Sequence, residues 1–251
     1  MKEQILHKLE EIEKTENVTV LYAVETGSRA WGHANENSDY DVSFIYKRND
    51  ISEYLVLDKF EDVIQHDDGV FDFAGWDVKK ALHLHYKSNP NLREWLISPG
   101  VYVPDEIGIF DGFEDFRPEI LRNYYFGLAN KTYKKYVRGN DLRDLKIVKK
   151  TLYVIRCTLA WKLLDNGIMP QMDFNELIEK CEISDELKSA IFALKDAYSA
   201  LAIDEVGDEV FEMIHAWIEE SFGEFTNKPF KAPKRNIEDY NERFFEIIGL
   251  R

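Results

Sequence analysis

Two carboxylates stand two residues apart, a short distance after a glycine–serine pair. Asp39 and Asp41 begin an apolar segment, and Gly27 and Ser28 follow the apolar segment before it. Because side chains at i and i+2 of a strand point to the same face, both carboxylates would emerge together. Carboxylates are ligands for divalent cations, and a glycine–serine turn offers backbone N–H groups and a hydroxyl to phosphate oxygens. The spacing therefore predicts chemistry on a metal-bound phosphate compound.

The whole stretch from residue 25 to residue 46 reads ETGSRAWGHANENSDYDVSFIY. It resembles the signature of the DNA polymerase beta-like nucleotidyltransferase superfamily, a Gly-Ser pair followed by Asp-x-Asp between hydrophobic residues. Ten residues lie between Ser28 and Asp39, and one departure is Thr26, where an apolar residue is more common. With FDFAGWDVKKAL and KSNPNLREWLISP further on, the chain is similar to one branch, the predicted nucleotidyltransferases typified by a bacterial protein linked to RNA repair.

The resemblance implies a fold, a reaction and a cofactor. The fold is α+β: a nucleotidyltransferase-type mixed sheet flanked by helices, followed by an all-helical C-terminal domain. The reaction moves a nucleoside monophosphate from a nucleoside triphosphate (NTP) to an acceptor hydroxyl and releases pyrophosphate. The cofactor is Mg²⁺ or Mn²⁺, held by Asp39 and Asp41 as catalytic residues.

Transferases that use two metal ions usually need a third carboxylate on a neighbouring strand. Asp72 lies between two phenylalanines in an alternating segment. It is our candidate for the third ligand and for the base that takes the proton of the acceptor hydroxyl. Asp77 is the alternative, although its position also suits a helix N-cap. Asp67 and Asp68 precede a glycine and are interpreted as turn residues.

Three consecutive residues are candidates for binding the NTP phosphates. Gly27 and Ser28 would cradle the phosphates, because glycine permits unusual backbone geometry and close approach. Arg29 follows directly and could reach a phosphate, or it could pair with the acidic surface instead.

The C-terminal half contributes a second set of basic candidates. Lys149, Tyr153 and Arg156 follow a spacing of four and three residues and share one helix face. The resemblance implies that Lys149 and Arg156 reach the triphosphate and that a tyrosine stacks on the base. The other interpretation is an exposed basic stripe. Further basic candidates are Lys87, Lys134, Arg138 and Lys150.

Hydrophobic periodicity divides the chain into a mixed half and a helical half. Strands are predicted at 18–24, 41–46, 62–65 and 70–76. Helices are predicted at 2–14, 77–87, 91–97, 117–137, 141–164, 174–181, 184–201, 204–222 and 237–248. Residues 101–115 are rich in glycine, proline and acids and form the candidate linker. We therefore expect a nucleotidyltransferase catalytic domain at 1–115 and a helical substrate- or nucleotide-binding domain at 116–251.

Composition is that of a water-soluble globular protein, with 45% hydrophobic and 31% charged residues. No apolar run approaches the length of a membrane span, so no membrane association is expected. Cys157 and Cys181 lie in helical patterns without CxxC spacing and are expected to be free buried thiols. Free thiols predict a cytoplasmic location.

Charge is distributed unevenly along the chain. The formal net charge of −15 argues against non-specific coating of nucleic acid, since such binding neutralises phosphates. Residues 117–162, however, contain 12 Lys and Arg against 3 Asp and Glu. This basic stretch predicts either a localised anion site or a solvated helix face.

Other classes of function remain as alternatives. The chain could be a non-catalytic nucleotide-binding protein with a regulatory or antitoxin-like role, or an interaction module with solubilising carboxylates. It has no P-loop motif, and its histidines lack the spacing of a zinc site. The acceptor is left open among an RNA end, a small molecule and a protein, and so are the base preference and the oligomeric state.

Overall fold

The computed structural model describes residues 1–57, 60–227 and 234–251. These residues form two compact units that we call the sheet unit and the helical unit. The described residues of the sheet unit are 1–30, 39–57, 60–116 and 234–251, and those of the helical unit are 31–38 and 117–227.

The two units are not continuous in sequence. Residues 31–38 pack in the helical unit and residues 234–251 in the sheet unit. The predicted domains of 1–115 and 116–251 are continuous. They place residues 31–38 with the sheet and residues 234–251 with the helices, which differs from the observed units. The catalytic and substrate-binding roles of these domains stay predictions.

A five-stranded mixed sheet forms the centre of the sheet unit, with the strand order β3-β4-β2-β1-β5. The strands are β1 (Val18–Thr26), β2 (Tyr40–Arg48), β3 (Val63–Asp67), β4 (Phe71–Asp77) and β5 (Val101–Val103). Strands β2 and β4 are parallel, whereas the β1–β2, β1–β5 and β3–β4 pairs are antiparallel. The α+β fold with a mixed sheet and a helical C-terminal part is confirmed.

Helices account for most of the remaining described chain. In chain order they are α1 (Lys2–Glu16), α2 (Gly27–Trp31), α3 (Val78–Tyr86), α4 (Pro90–Leu96), α5 (Pro118–Thr132), α6 (Leu145–Asp165), α7 (Phe174–Lys180), α8 (Asp185–Ser199), α9 (Asp208–Glu224) and α10 (Ile237–Ile248). No helix of the described ranges has both the length and the apolarity to cross a membrane. Cys157 and Cys181 are free and buried, as predicted.

Amphipathic patterning explains how α1 packs on the sheet. Ile5, Leu9 and Ile12 repeat at helical spacing and are buried in one cluster with residues of β1, β2 and β4. Burial of apolar surface of this kind is the main favourable term in folding. The sheet beneath α1 is thereby held as a rigid base for the residues at its strand ends.

Three local predictions differ from the structure. The turn expected at Gly27 is the start of the short helix α2. The candidate linker begins with β5, which pairs with Ala23 and Val24 of β1, because three residues are too few to show a strand pattern. Helix α9 begins at Asp208 rather than at Asp204, since residues 203–205 form a separate 3₁₀ turn.

Asp77 connects the end of β4 to the start of α3. Its carboxylate accepts hydrogen bonds from the backbone N–H of Lys79 and from the Tyr54 hydroxyl, both at 2.8 Å. The side chain is fully buried. Burial raises the pKa of the Asp77 carboxyl to about 6. The expected N-cap role is therefore present, in a carboxyl that is costly to ionise.

The pH dependence of stability should report this buried carboxyl. Because its pKa is higher in the folded than in the unfolded chain, its contribution is greatest below about pH 4 and is lost as pH rises through about 6. Relative to Asp77→Asn, the free energy of unfolding of the wild type should fall by up to about 3 kcal/mol over this interval. Urea unfolding at a series of pH values measures the difference.

Asp50→Asn is the matched control, because the Asp50 carboxylate also caps a turn but has a lowered pKa from its hydrogen bonds to Ser52. Its difference curve should run in the opposite direction, with stability lost as pH falls. If the difference in unfolding free energy between the wild type and Asp77→Asn did not change between about pH 4 and 6, the account would be contradicted.

Candidate active site

Strand register brings two of the predicted acids side by side. Parallel pairing of β2 and β4 puts Asp41 directly opposite Asp72. Paired residues on neighbouring strands point to the same face of the sheet, and Asp39 precedes Asp41 by two residues. Asp77 is paired with Tyr46 at the other end of β4. Of the two candidates for a third carboxylate, the structure thus brings Asp72, and not Asp77, to the side of Asp41.

These acids act on one another electrostatically. Asp39 is exposed, whereas Asp41 and Asp72 are half-buried. Partial burial raises the pKa of the Asp72 carboxyl, and the negative charges of Asp67 and Asp39 raise it further. Asp72 therefore holds a proton more readily than an ordinary aspartate, which is the property required of a proton acceptor.

Asp67 is a fourth acid at this edge that the sequence did not identify. Its predicted turn role is confirmed, because its carboxylate accepts from the Gly69 N–H at 2.8 Å. It is also the last residue of β3 and pairs with Asp72, which the turn prediction did not include. Asp68 lies in the turn as expected, where its carboxylate accepts from the N–H groups of Val70 and Phe71. Only the register of the hairpin shows that Asp67 pairs with β4 and Asp68 does not, and local composition does not reveal that register.

Gly27 lies against the Asp41 carboxylate. A Cβ atom at Gly27 would be only 1.8 Å from Asp41 Oδ2, and the backbone φ of +63° is one that favours glycine. The hydroxyl of Thr26 donates to the Asp41 carbonyl oxygen at 3.1 Å and fixes the adjoining strand ends. Glycine at this position therefore makes room for the carboxylate itself.

Ser28 and Arg29 have different surroundings. The Ser28 side chain is buried, and its hydroxyl has no hydrogen-bond partner among the described residues. Arg29 donates from Nε to the Asp39 carbonyl oxygen at 3.0 Å, and its guanidinium carbon is 3.7 Å from the Tyr40 ring centroid. A cation is thus held beside the acids, and a buried hydroxyl is left with a donor to offer. Their roles toward phosphate stay predictions.

Glu25 is a buried acid that the sequence reading missed. It is 7% exposed, accepts a short hydrogen bond from the Tyr102 hydroxyl, and has a pKa raised by burial. Its signal in the sequence is a single carboxylate within the apolar run of β1. Gly100 packs against it, since a Cβ there would lie 2.7 Å from the Glu25 Cβ.

Within the helical unit, the predicted basic residues separate into two kinds. Lys149 is exposed, as a solvated stripe would be. Arg156 is only 2% exposed, with its guanidinium carbon 4.5 Å from the Trp31 ring centroid. Tyr153 also packs on Trp31, at 5.7 Å between ring centroids. The exposed-stripe interpretation therefore does not hold for Arg156.

His33 belongs to the same cluster and was not singled out by the sequence. It is 1% exposed, with its ring 5.6 Å from the rings of both Trp31 and Phe174. Burial, together with the positive charges of Arg156 and Lys149, lowers the pKa of His33 to about 3. The imidazole is therefore neutral at physiological pH.

The donor set fits a hard divalent cation by its chemistry. Asp39, Asp41 and Asp72 supply the carboxylate oxygens that Mg²⁺ and Mn²⁺ prefer. The pKa of Asp72 is raised first by partial burial and then by the charges of Asp67 and Asp39, and a cation among the acids would offset those negative charges. In the described ranges, however, no group of three or more His, Cys, Asp and Glu side chains is already arranged to hold a metal ion. Binding would require these side chains to turn toward the ion.

Comparison with known proteins defines the class. The family model of RlaP, the RNA repair pathway DNA polymerase beta family, matches residues 1–245, and the chain belongs to this family. It is 33% identical over 259 residues to the uncharacterized protein YcgL of Bacillus subtilis (strain 168), across 94% of this chain and 92% of that protein.

A solved structure gives a weaker match. The nucleotidyltransferase-like protein from Exiguobacterium sibiricum 255-15 aligns with a TM-score of 0.35 and 11% identity, over 100% of this chain and 80% of that chain. Likeness at this level is too low for a comparison of the sites.

The close approach of Gly27 to Asp41 has a consequence for stability. Gly27→Ala should be less stable than Gly69→Ala by about 1–3 kcal/mol, because overpacking adds to backbone strain. Gly69 is the matched control, since it has a φ of +83° but nothing within 4 Å of a Cβ. Urea unfolding measures both variants.

Adding Asp41→Ala to Gly27→Ala should recover most of that difference, because the carboxylate is what the new methyl group meets. Equal losses for Gly27→Ala and Gly69→Ala would show that Asp41 does not lie against this glycine.

Proposed function

We propose that the protein is a metal-dependent nucleotidyltransferase. It moves a nucleoside monophosphate from an NTP to an acceptor hydroxyl and releases pyrophosphate. Membership of a DNA polymerase beta family supports the class. The observation that carries the proposal is the pairing of Asp41 with Asp72, with Asp39 two residues away and Gly27 against the Asp41 carboxylate.

Each acid has a role in the proposed reaction. Asp39, Asp41 and Asp72 hold the divalent cation. The cation, Mg²⁺ or Mn²⁺, supplies neutralisation of the triphosphate charge and a lower pKa of the acceptor hydroxyl. Asp72 takes the proton of that hydroxyl, a role supported by its position opposite Asp41 in the pairing of β2 and β4.

The bond changes balance around the α-phosphorus. The acceptor oxygen forms a bond to the α-phosphorus as its proton passes to Asp72. The bond from the α-phosphorus to the bridging oxygen breaks, and pyrophosphate leaves with that electron pair.

Binding of the NTP phosphates is assigned to a separate set of residues. The buried Ser28 hydroxyl donates to a phosphate oxygen, and Gly27 permits close approach of the backbone. Arg29, Lys149 and Arg156 supply positive charge, and arginine suits this role because its guanidinium binds phosphate oxygens in pairs.

The main alternative is a regulatory protein that binds nucleotide without turning it over. That alternative would be favoured if the third acid lay away from Asp41. The pairing of Asp41 with Asp72 in β2 and β4 argues against the alternative. Two free buried cysteines favour the cytoplasm as the compartment. The acceptor is an RNA end, a small molecule or a protein.

Transfer of label from α-labelled NTPs tests the proposal. Purified protein is incubated with each NTP, Mg²⁺ or Mn²⁺, and separate pools of RNA, small metabolites and protein. Asp39→Asn, Asp41→Asn and Asp72→Asn should each lower the rate by about 100-fold or more, because each removes a negative charge that holds the cation. Chelation of the metal should abolish transfer.

Glu10→Gln is the matched control, an exposed carboxylate on α1 that should leave the rate unchanged. Transfer that survives all three aspartate substitutions would contradict the proposal. Retained NTP binding without transfer in the wild type would favour the regulatory alternative.

A further inference from the structure

A basic surface on the helical unit is not used by the reaction proposed above. Helix α5 continues into a π-helical turn at Tyr133–Val137, closed by a 2.9 Å hydrogen bond from the Arg138 N–H to the Tyr133 carbonyl oxygen. Turns of this type shift the side chains that follow them and are frequent at functional sites. Here the turn carries an exposed aromatic residue, Tyr136.

Three lysines surround this tyrosine. The Nζ atoms of Lys135 and Lys150 are 4.6 Å and 5.5 Å from the centroid of the Tyr136 ring, and Tyr136 is 39% exposed. A hydrogen bond and the charge of Lys135 lower the pKa of the phenol, as do the charges of Lys150 and Lys131. We call Lys131, Lys135, Tyr136 and Lys150 the Tyr136 surface.

The charge around the Tyr136 surface contrasts with that of the whole chain. Residues 131–150 contain 8 Lys and Arg against 2 Asp and Glu, in a protein of net charge −15. One of the two acids, Asp144, has its carboxylate occupied as the N-cap of α6. The lysines of the Tyr136 surface are all exposed. Like-charged exposed side chains contribute little to folding, which points to an anionic partner.

We propose that the Tyr136 surface binds a single-stranded polynucleotide. A base stacks on the Tyr136 ring while the lysine ammonium groups contact the flanking phosphates, the combination by which proteins hold single strands. An exposed ring between cations suits unpaired bases better than a duplex, whose bases are already stacked. The small number of lysines limits the contact to a few nucleotides, consistent with an otherwise acidic protein.

A cavity of about 340 Å³ adjoins the same turn. Its lining includes Phe126, Tyr133, Lys134 and Phe222, a mixture of aromatic and basic groups. Glu219 also faces it and accepts a hydrogen bond from the Tyr133 hydroxyl. Because that carboxylate opposes phosphate, we assign the polynucleotide to the Tyr136 surface and not to this cavity.

If the protein transfers nucleotides as proposed above, the bound strand is the acceptor. That assignment rests on the proposed function, whereas binding does not. The test therefore uses the full chain without NTP or metal. Strand binding can then be measured even if the protein does not transfer nucleotides.

Fluorescence anisotropy with labelled RNA and DNA single strands of one mixed sequence, about 12 nucleotides long, measures binding. Tyr136→Ala should weaken it by about fivefold or more, and Tyr136→Phe should bind like the wild type, because the ring supplies the stacking. Replacing Lys131, Lys135 and Lys150 together by Gln should reduce the slope of log affinity against log salt by about 2. Lys180→Gln, an exposed lysine on α7, is the matched control.

Preference for RNA over DNA would identify the 2′-hydroxyl as part of the contact. Equal binding would show that the surface recognises only the bases and phosphates of a single strand. Both results support the proposal. Three outcomes overturn it: no binding at low salt, binding unchanged in Tyr136→Ala and the triple lysine variant, or capture of anionic phosphatidylserine vesicles or polyglutamate in place of the strands. Circular dichroism confirms that each variant is folded.

Discussion

Parallel pairing of β2 with β4 is the constraint on which the candidate site depends. It sets Asp41 and Asp72 opposite one another, on strands that start 31 residues apart in the sequence. Parallel neighbours cannot be joined by a tight turn, so the chain must travel away and return. Here it returns through β3, which forms the antiparallel hairpin with β4 and adds Asp67 to the same edge.

Gathering carboxylates at one edge is unfavourable without a counter-charge. The pKa of Asp72 is raised by partial burial and in addition by the charges of Asp67 and Asp39, and the pKa of the nearby Glu25 is raised mainly by burial. The apolar cluster beneath, including Phe44 and Phe73, supplies the stability that offsets this cost. A fold that keeps such repulsion at one edge of a well-packed sheet has the character of a binding site, where strain is relieved by the ligand.

Local signals in the sequence were sufficient for most elements but not for their pairing. The hairpin at residues 67–69, the cap at Asp77 and the stripe of α1 each follow from neighbouring residues. That Asp72 lies near Asp41 was predicted from the family resemblance and not from the local sequence. The register between strands that are distant in the sequence leaves no local pattern. Strand β5 was not predicted because three residues are too few to show a strand pattern, and the contact of its Tyr102 to Glu25 joins residues that are distant in the sequence.

The segment after Gly27 shows the same limit. Trp31 and His33 have no local sequence pattern that names their neighbours, yet they pack among aromatic and basic side chains of α6, α7 and α8. Packing of a loop on distant helices is a tertiary property, and composition alone does not reveal it. Arg156 was a candidate for its charge, and its burial beside Trp31 could be seen only in the folded chain.

The central claim is that Asp41 and Asp72 together hold a divalent cation with a nucleotide. Electron paramagnetic resonance of Mn²⁺, titrated into the protein with non-hydrolysable NTP analogues, tests it most directly. The account predicts nucleotide-dependent loss of the free Mn²⁺ signal with the wild type and with Glu10→Gln, and a much weaker loss with Asp41→Asn and with Asp72→Asn. Equal Mn²⁺ binding by the wild type and Asp72→Asn would contradict it.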